Sequence, residues 1–160
     1  MHSRRLARKA RLMRWALNFY PPYLGAGVRV RRISADFRHI RVKMGLGWYN
    51  RNYVGTQFGG SLYSMTDPFF MLMLMQHLGR DYIVWDQSAS IDFVSPGKGP
   101  VYADFRIDDE LLAEIRERTA GGDKYLPKLH VEVHDSEGTL VARVHKTLYV
   151  RLKPRLRQAG

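Results

Sequence analysis

The stretch from Asn52 to Asp67 reads Asn-Tyr-Val-Gly-Thr-Gln-Phe-Gly-Gly-Ser-Leu-Tyr-Ser-Met-Thr-Asp and holds the residue types best suited to chemistry. Gly59-Gly60 ahead of an apolar run allows a tight turn and lets a ligand approach the free N–H groups of a helix start. Those groups, at the positive end of the helix, would polarise a carbonyl oxygen. Asp67 follows Gly60 by seven positions, about two helical turns, which places both on one face. Tyr63, Ser64, Phe70, Met71 and Leu74 share that face, so desolvation predicts a raised carboxyl pKa for Asp67. Such a carboxylate can act as general base or nucleophile. Asp67-Pro68 is equally the pattern of a helix N-cap followed by proline at the first helical position, in which case the carboxylate only caps backbone N–H groups.

Other polar residues point to no second centre. His130, Glu132 and His134 share a strand face and could in principle bind zinc. Their alternation with Leu129, Val131 and Val133 instead assigns them to the solvent side of a half-buried strand, and no metal is expected. The absence of cysteine removes disulfides, thiolate ligands and a cysteine nucleophile. Neither a Gly-x-Ser-x-Gly elbow nor a phosphate loop occurs. The run Met71-Leu72-Met73-Leu74-Met75 reads as core that would also suit a flexible acyl chain.

The elements that must position these residues follow from periodicity. With 160 residues, 45% of them apolar, the chain suffices for one core. Residues 4–20 form an amphipathic helix pattern through Leu6, Ala10, Met13, Leu17 and Tyr20, stopped by Pro21-Pro22. Residues 28–44 read as one long strand whose alternation changes phase, which suggests bulges. A helix over 60–78 is apolar on nearly all sides, through Leu62, Met65, Phe69, Leu72 and Met73 and round to Tyr63, Phe70, Met71 and Leu74. It must therefore be buried by a wrapping sheet and by a second subunit. Strands follow over 82–94, 101–107, 125–135 and 140–152, with a short helix opened by Asp108-Asp109-Glu110. This order implies an α+β fold: a long central helix wrapped by an antiparallel sheet of about five strands, with an N-terminal helix.

Asn52, Gly59-Gly60 and Asp67, at their spacing, resemble the active-site motif of hotdog-fold thioesterases of the phenylacetyl-CoA thioesterase-like branch. Ser95-Pro96 is similar to the Ser/Thr-Pro that closes a strand there. The stretch Gly-Thr-x-Phe-Gly-Gly-Ser-Leu looks nearest to a bacterial thioesterase-like group of unassigned function. The resemblance implies a hotdog domain over 28–153 that hydrolyses acyl-CoA or acyl-carrier thioesters as a homodimer or homotetramer. It needs no cofactor beyond the coenzyme A of its substrate. In that branch the aspartate is base or nucleophile, the glycine N–H holds the thioester oxygen and the asparagine positions water or carbonyl. Carried over, these are Asp67, Gly60 and Asn52, with Gly59, Phe58, Tyr63, Met71, Asp86, Ser88 and Ser90 expected along the substrate. Three departures stand out: Phe58 replaces the branch's histidine, Asp86 aligns nearest to a Ser/Thr position, and Pro68 interrupts the helix. The alternative is a non-catalytic acyl-CoA-binding hotdog module, regulatory or membrane-associated. An acyl dehydratase on the same fold wants a histidine that Gly59-Gly60 lack.

Charge is unevenly placed. The net +11 resides in residues 1–43, which carry 12 Lys/Arg against Asp36 alone, while later residues balance. Residues 1–27 form a basic arm and 154–160 a basic tail. Arg29, Arg31, Arg32 and Lys98 are candidate partners for coenzyme A phosphates. Nucleic acid is not expected, because Trp15, Phe19 and Tyr20 look like a packing stripe. Peripheral membrane contact by residues 4–20 fits better. No apolar run suits a transmembrane span. The short Trp15–Tyr20 run is a poor signal core, although an acid-free Arg-rich start would suit a transit peptide. A cytoplasmic location is expected.

Overall fold

The computed structural model describes residues 2–154; Arg155, Arg157 and the rest of the basic tail lie outside the described residues. In chain order the elements are α1 (His2–Asn18), α2 (Pro21–Ala26), β1 (Val28–Ile33), β2 (His39–Met44), α3 (Gly59–Ser64), α4 (Phe69–Leu78), β3 (Tyr82–Phe93), β4 (Val101–Arg106), α5 (Asp109–Thr119), β5 (Lys124–Tyr125), β6 (Lys128–Asp135) and β7 (Leu140–Leu152). The strands make one antiparallel sheet in the order β1-β2-β4-β6-β7-β3, with β5 added on β7.

Alternation decides which side chains face inward. Val28, Val30, Ile40, Val42, Met44, Val101, Ala103, Phe105, Val131, Val133, Val144, Leu148 and Val150 form a continuous buried surface. Against it pack Leu62 and Met65 near α3 and Phe69, Phe70, Met73 and Leu74 of α4. The Phe105 ring is the centre of this contact, with centroids 4.9 Å from Phe69 and 5.1 Å from Phe70. Asp108 caps α5 by accepting from Leu111 N at 2.8 Å, so Leu112 and Ile115 turn into the core as their spacing predicts.

Two expectations are corrected. Residues 28–44 are a hairpin, not one strand: β1 and β2 pair antiparallel with a register shift after Val30. Ser34 Oγ accepts from Arg38 N and His39 N, and Phe37 takes φ 56° in the turn. That left-handed residue is what lets a turn without glycine or proline reverse the chain. The central helix is likewise two segments, because Pro68 has no N–H to continue the ladder from α3.

The ends of the sheet are treated differently. At the β1 end, α1 lies alongside, and Asn18 both accepts from Val30 N at 2.8 Å and donates to Val30 O at 3.1 Å. At the other end β3 pairs, among the described residues, only with β7, and Gln87 to Ser90 are exposed. Among the described residues no helix is long and apolar enough to cross a membrane.

Truncating the central ring should cost about 3–5 kcal/mol. Urea unfolding of Phe105→Ala is expected to show that loss; a change below about 1 kcal/mol would show that helix and sheet do not pack here.

Candidate active site

Lys146 sits in the inward phase of β7 between Val144 and Leu148, and its side chain is 1% exposed. An ammonium there must find partners for its three protons. It donates to Asp67 Oδ1 at 2.8 Å and to Asp86 Oδ2 at 2.9 Å, and lies 3.5 Å from the Tyr63 hydroxyl. The Tyr63 ring also presents its face, 4.9 Å from Nζ to centroid.

Asp67 is delivered by the break in the helix. The end of α3 is closed by Met65 N to Ser61 O at 3.0 Å and Thr66 Oγ1 to Tyr63 O at 2.7 Å. The carboxylate does not cap α4, whose first turn has no side-chain cap; it turns to Lys146 instead. Tyr23 of α2, buried and stacked on Phe69, donates its hydroxyl to the Asp67 carbonyl and fixes the backbone. Burial, and then the Asp67 charge, pushes that hydroxyl well above its ordinary pKa, so it remains a donor. Asp86 comes from β3, just before the register shift between Asp86 and Ser88.

The three groups divide their charge unequally. Burial raises both carboxyls, and their mutual hydrogen bond then separates them. Asp67, 44% exposed, ends below the ordinary carboxylate range because the Asp86 bond and the Lys146 bond and charge outweigh its desolvation. Asp86, 18% exposed, ends above it through burial and the Asp67 bond, against Lys146. Asp86 Oδ1 is buried with no partner among the described residues, so ionising Asp86 would strand a charged oxygen. Lys146 is raised despite its burial by the two carboxylates. The cluster therefore favours the charged forms of Asp67 and Lys146 and disfavours that of Asp86.

The expectation of a raised Asp67 pKa is thus corrected: Asp86, and then Lys146, outweigh the desolvation on which it rested. Sequence reasoning missed this lysine, although a signal existed: it interrupts the apolar phase of Val144, Leu148 and Val150. Asp86, expected along the substrate, joins the cluster directly, and Tyr63 lies against it.

A groove of about 610 Å³ holds other expected residues: Asn52, Gly59 and Lys98, with Thr56, Leu62 and Phe93. Gly59 and Gly60 open α3, where Phe58 supplies no side-chain cap. A Cβ on Gly59 would meet the tip of the exposed Phe93 ring at 2.9 Å, so any larger residue there requires that ring to move. Asn52, expected to position water or the carbonyl, lines this groove. Its side chain is engaged in its own loop, donating to Thr56 Oγ1 at 2.9 Å and accepting from Thr56 N at 2.9 Å. Within one subunit Asp67 lines a different hollow, with Tyr20, Tyr23, Tyr63 and Pro68. Phe58 is exposed beside Gly60, Met71 packs against the core, and Ser88 and Ser90 lie exposed on β3. Arg31 and Arg32 are not brought to the groove; they line a cleft beside α1, at the opposite end of the sheet. Glu132 is held by Arg143 at 2.6 Å, with His134 3.4 Å away.

The chain has the hotdog fold of solved thioesterase-like structures. A Pseudomonas aeruginosa protein of unknown function, for which a thioesterase role has been suggested, is similar at 18% identity and TM-score 0.77, over 89% of this chain and 95% of that one. A Haemophilus influenzae thioesterase is similar at 12% identity and TM-score 0.66, over 94% of each chain. The E. coli PaaI protein of the phenylacetic acid degradation operon is similar at 15% identity and TM-score 0.63, over 96% of this chain and 97% of that one. The chain belongs to the family DUF4442, described as a domain of unknown function, which it matches over residues 8–150. No curated protein matches it in sequence.

Each carboxylate can stand in for the other as the partner of Lys146. Asp67→Asn and Asp86→Asn alone should therefore cost no more than about 1.5 kcal/mol each, and the double substitution about 3–5 kcal/mol. The excess loss should shrink as pH rises, because the unfolded chain then binds more protons than the native lysine. Chemical denaturation at pH 7 and pH 9 measures both; additive losses independent of pH would contradict the shared pairing.

Proposed function

We propose that this protein hydrolyses acyl thioesters, of coenzyme A or of an acyl carrier, with Asp67 as the reacting carboxylate. The observation that carries the proposal is the Lys146 cluster: one buried cation bonds the half-exposed carboxylate of Asp67, which lies below the ordinary range, while burial raises the carboxyl of Asp86 beside it. As a base, Asp67 takes a proton from water, the hydroxide adds to the thioester carbonyl, and the thiolate departs. As a nucleophile, its oxygen adds directly, the thiolate departs, and water cleaves the resulting anhydride. In either case the N–H groups of Gly59 and Gly60 would face the negative oxygen, and the resemblance to hotdog thioesterases supports that role.

A second subunit belongs to the proposal. β3 is twelve residues long and its outer backbone row is unpaired among the described residues, a ready template for another copy. Phe58, Phe93 and Val94 are exposed beside it and would be covered in such a homodimer. The resemblance implies a site shared between subunits, which would unite groove and carboxylate where one subunit keeps them in separate hollows. Lys98 is left as the groove's candidate contact for coenzyme A phosphate.

One set of observations favours the non-catalytic alternative. Asn52 is engaged in its own loop and Phe58 offers no polar contact. Thiol release from short, medium, long and aromatic acyl-CoAs separates the two. Hydrolysis lost by at least about 100-fold in folded, dimeric Asp67→Asn is the expected result. Retained acyl-CoA binding without turnover would establish the binding module, and turnover indifferent to the substitution would remove Asp67 from the mechanism.

The pH profile adds a check. Because the reacting form is ionised and its pKa lies below the ordinary range, kcat/KM should hold as pH falls to about 5 and decline only below about 4. An acid limb near neutrality would contradict this protonation state.

A further inference from the structure

We propose that the outward face of α1 docks on an anionic lipid bilayer. The helix has two apolar sides, and the sheet uses one. Ala10 is buried, Leu6 and Met13 are half-buried, and Leu17 packs against the core. Opposite them Leu12, Trp15 and Phe19 are 62%, 57% and 66% exposed, and their spacing of three and four makes a stripe. The expectation that Trp15, Phe19 and Tyr20 pack inward is thereby corrected. Exposed Tyr20 and Leu24 continue the stripe onto α2. The 17 residues of α1 are about 25 Å long, enough to lie flat at a lipid interface.

Charge complementarity selects the occupant. Arg4, Arg5, Arg8, Lys9 and Arg11 are exposed along the stripe, no acid precedes Asp36, and no ion pair among the described residues involves them. The whole net charge of +11 lies within residues 1–43, so an anionic surface would orient this end of the molecule first. Aromatic and leucine side chains set among arginines match the boundary between headgroups and acyl chains. A nucleic acid fits less well. Trp15 and Phe19 stack on each other, centroids 5.9 Å apart and planes 13° apart, which covers a face of each ring, and Leu12 cannot stack on a base. A second copy fits the bare β3 edge at the far end of the sheet, so pairing there leaves α1 open.

The test uses the full chain and vesicles of phosphatidylcholine, alone or with one-third phosphatidylglycerol. Sedimentation should show binding to the anionic vesicles only. Arg5→Glu/Arg8→Glu/Arg11→Glu should weaken it by about 100-fold or more, and Trp15→Ser/Phe19→Ser by about tenfold. Reversing the same number of exposed charges elsewhere, in Arg80→Glu/Lys124→Glu/Lys128→Glu, should change it by less than about threefold. All substituted side chains are exposed, so melting temperatures should stay near that of the parent. Several results would overturn the proposal: no binding to anionic vesicles, an equal effect of the distant reversal, tighter binding to DNA than to vesicles at the same salt, or loss of self-association on removing the aromatics with vesicle binding unchanged.

Discussion

A lysine ammonium beneath a sheet is tolerable only if its charge is answered, and the candidate site is organised around that constraint. Lys146 lies on a strand that otherwise points Val144, Leu148 and Val150 into the core. Desolvating it unpaired would cost several kcal/mol. The answering carboxylates come from separate elements, one at the break between α3 and α4 and one on β3. For Asp67 to face Lys146 the helix must stop, and Pro68, the closed end of α3 and the Tyr23 hydroxyl bond all enforce the stop. Around this one positive charge the two carboxyls are shifted apart by unequal burial and by each other: Asp67, better solvated, lies below the ordinary range, and Asp86, deeper, above it.

Local signals made much of the fold legible. The 140–152 strand and the Asp108 cap are recovered because alternation and capping are decided within a few residues. The hairpin inside 28–44 was hidden, since its turn uses Ser34 side-chain bonds and a left-handed Phe37 in place of glycine or proline. Its only trace was the phase slip, which a bulge would also produce. Asp67 was found, but its electrostatics were inverted, because the partners that outweigh its burial, Asp86 and Lys146, come from β3 and β7, the latter 79 residues away in sequence. Asn52, read as a substrate contact from its type and spacing, has a further role within its own loop, where it bonds Thr56. Side-chain hydrogen bonds of that kind depend on loop geometry that residue types alone do not specify.

The two ends of the sheet give the molecule a direction. At the β1 end Asn18 satisfies both backbone groups of Val30, and α1 turns a basic, aromatic face outward. At the β3 end the backbone row is bare and flanked by exposed Phe58 and Phe93. Pairing at one end and surface contact at the other are compatible on the same chain, and the groove with Gly59 and Lys98 lies toward the pairing end.

The central claim is that the cluster around Lys146 sets Asp67 below the ordinary carboxylate range and Asp86 above it. Carbon-13 NMR titration of the two carboxyls measures this without requiring a substrate. Asp86 should titrate above the ordinary carboxylate range and Asp67 below it, in linked steps. If both titrate together near pH 4, or if Asp67 has the higher pKa, the cluster does not divide its charge as described and Asp67 loses its claim to be the reacting group.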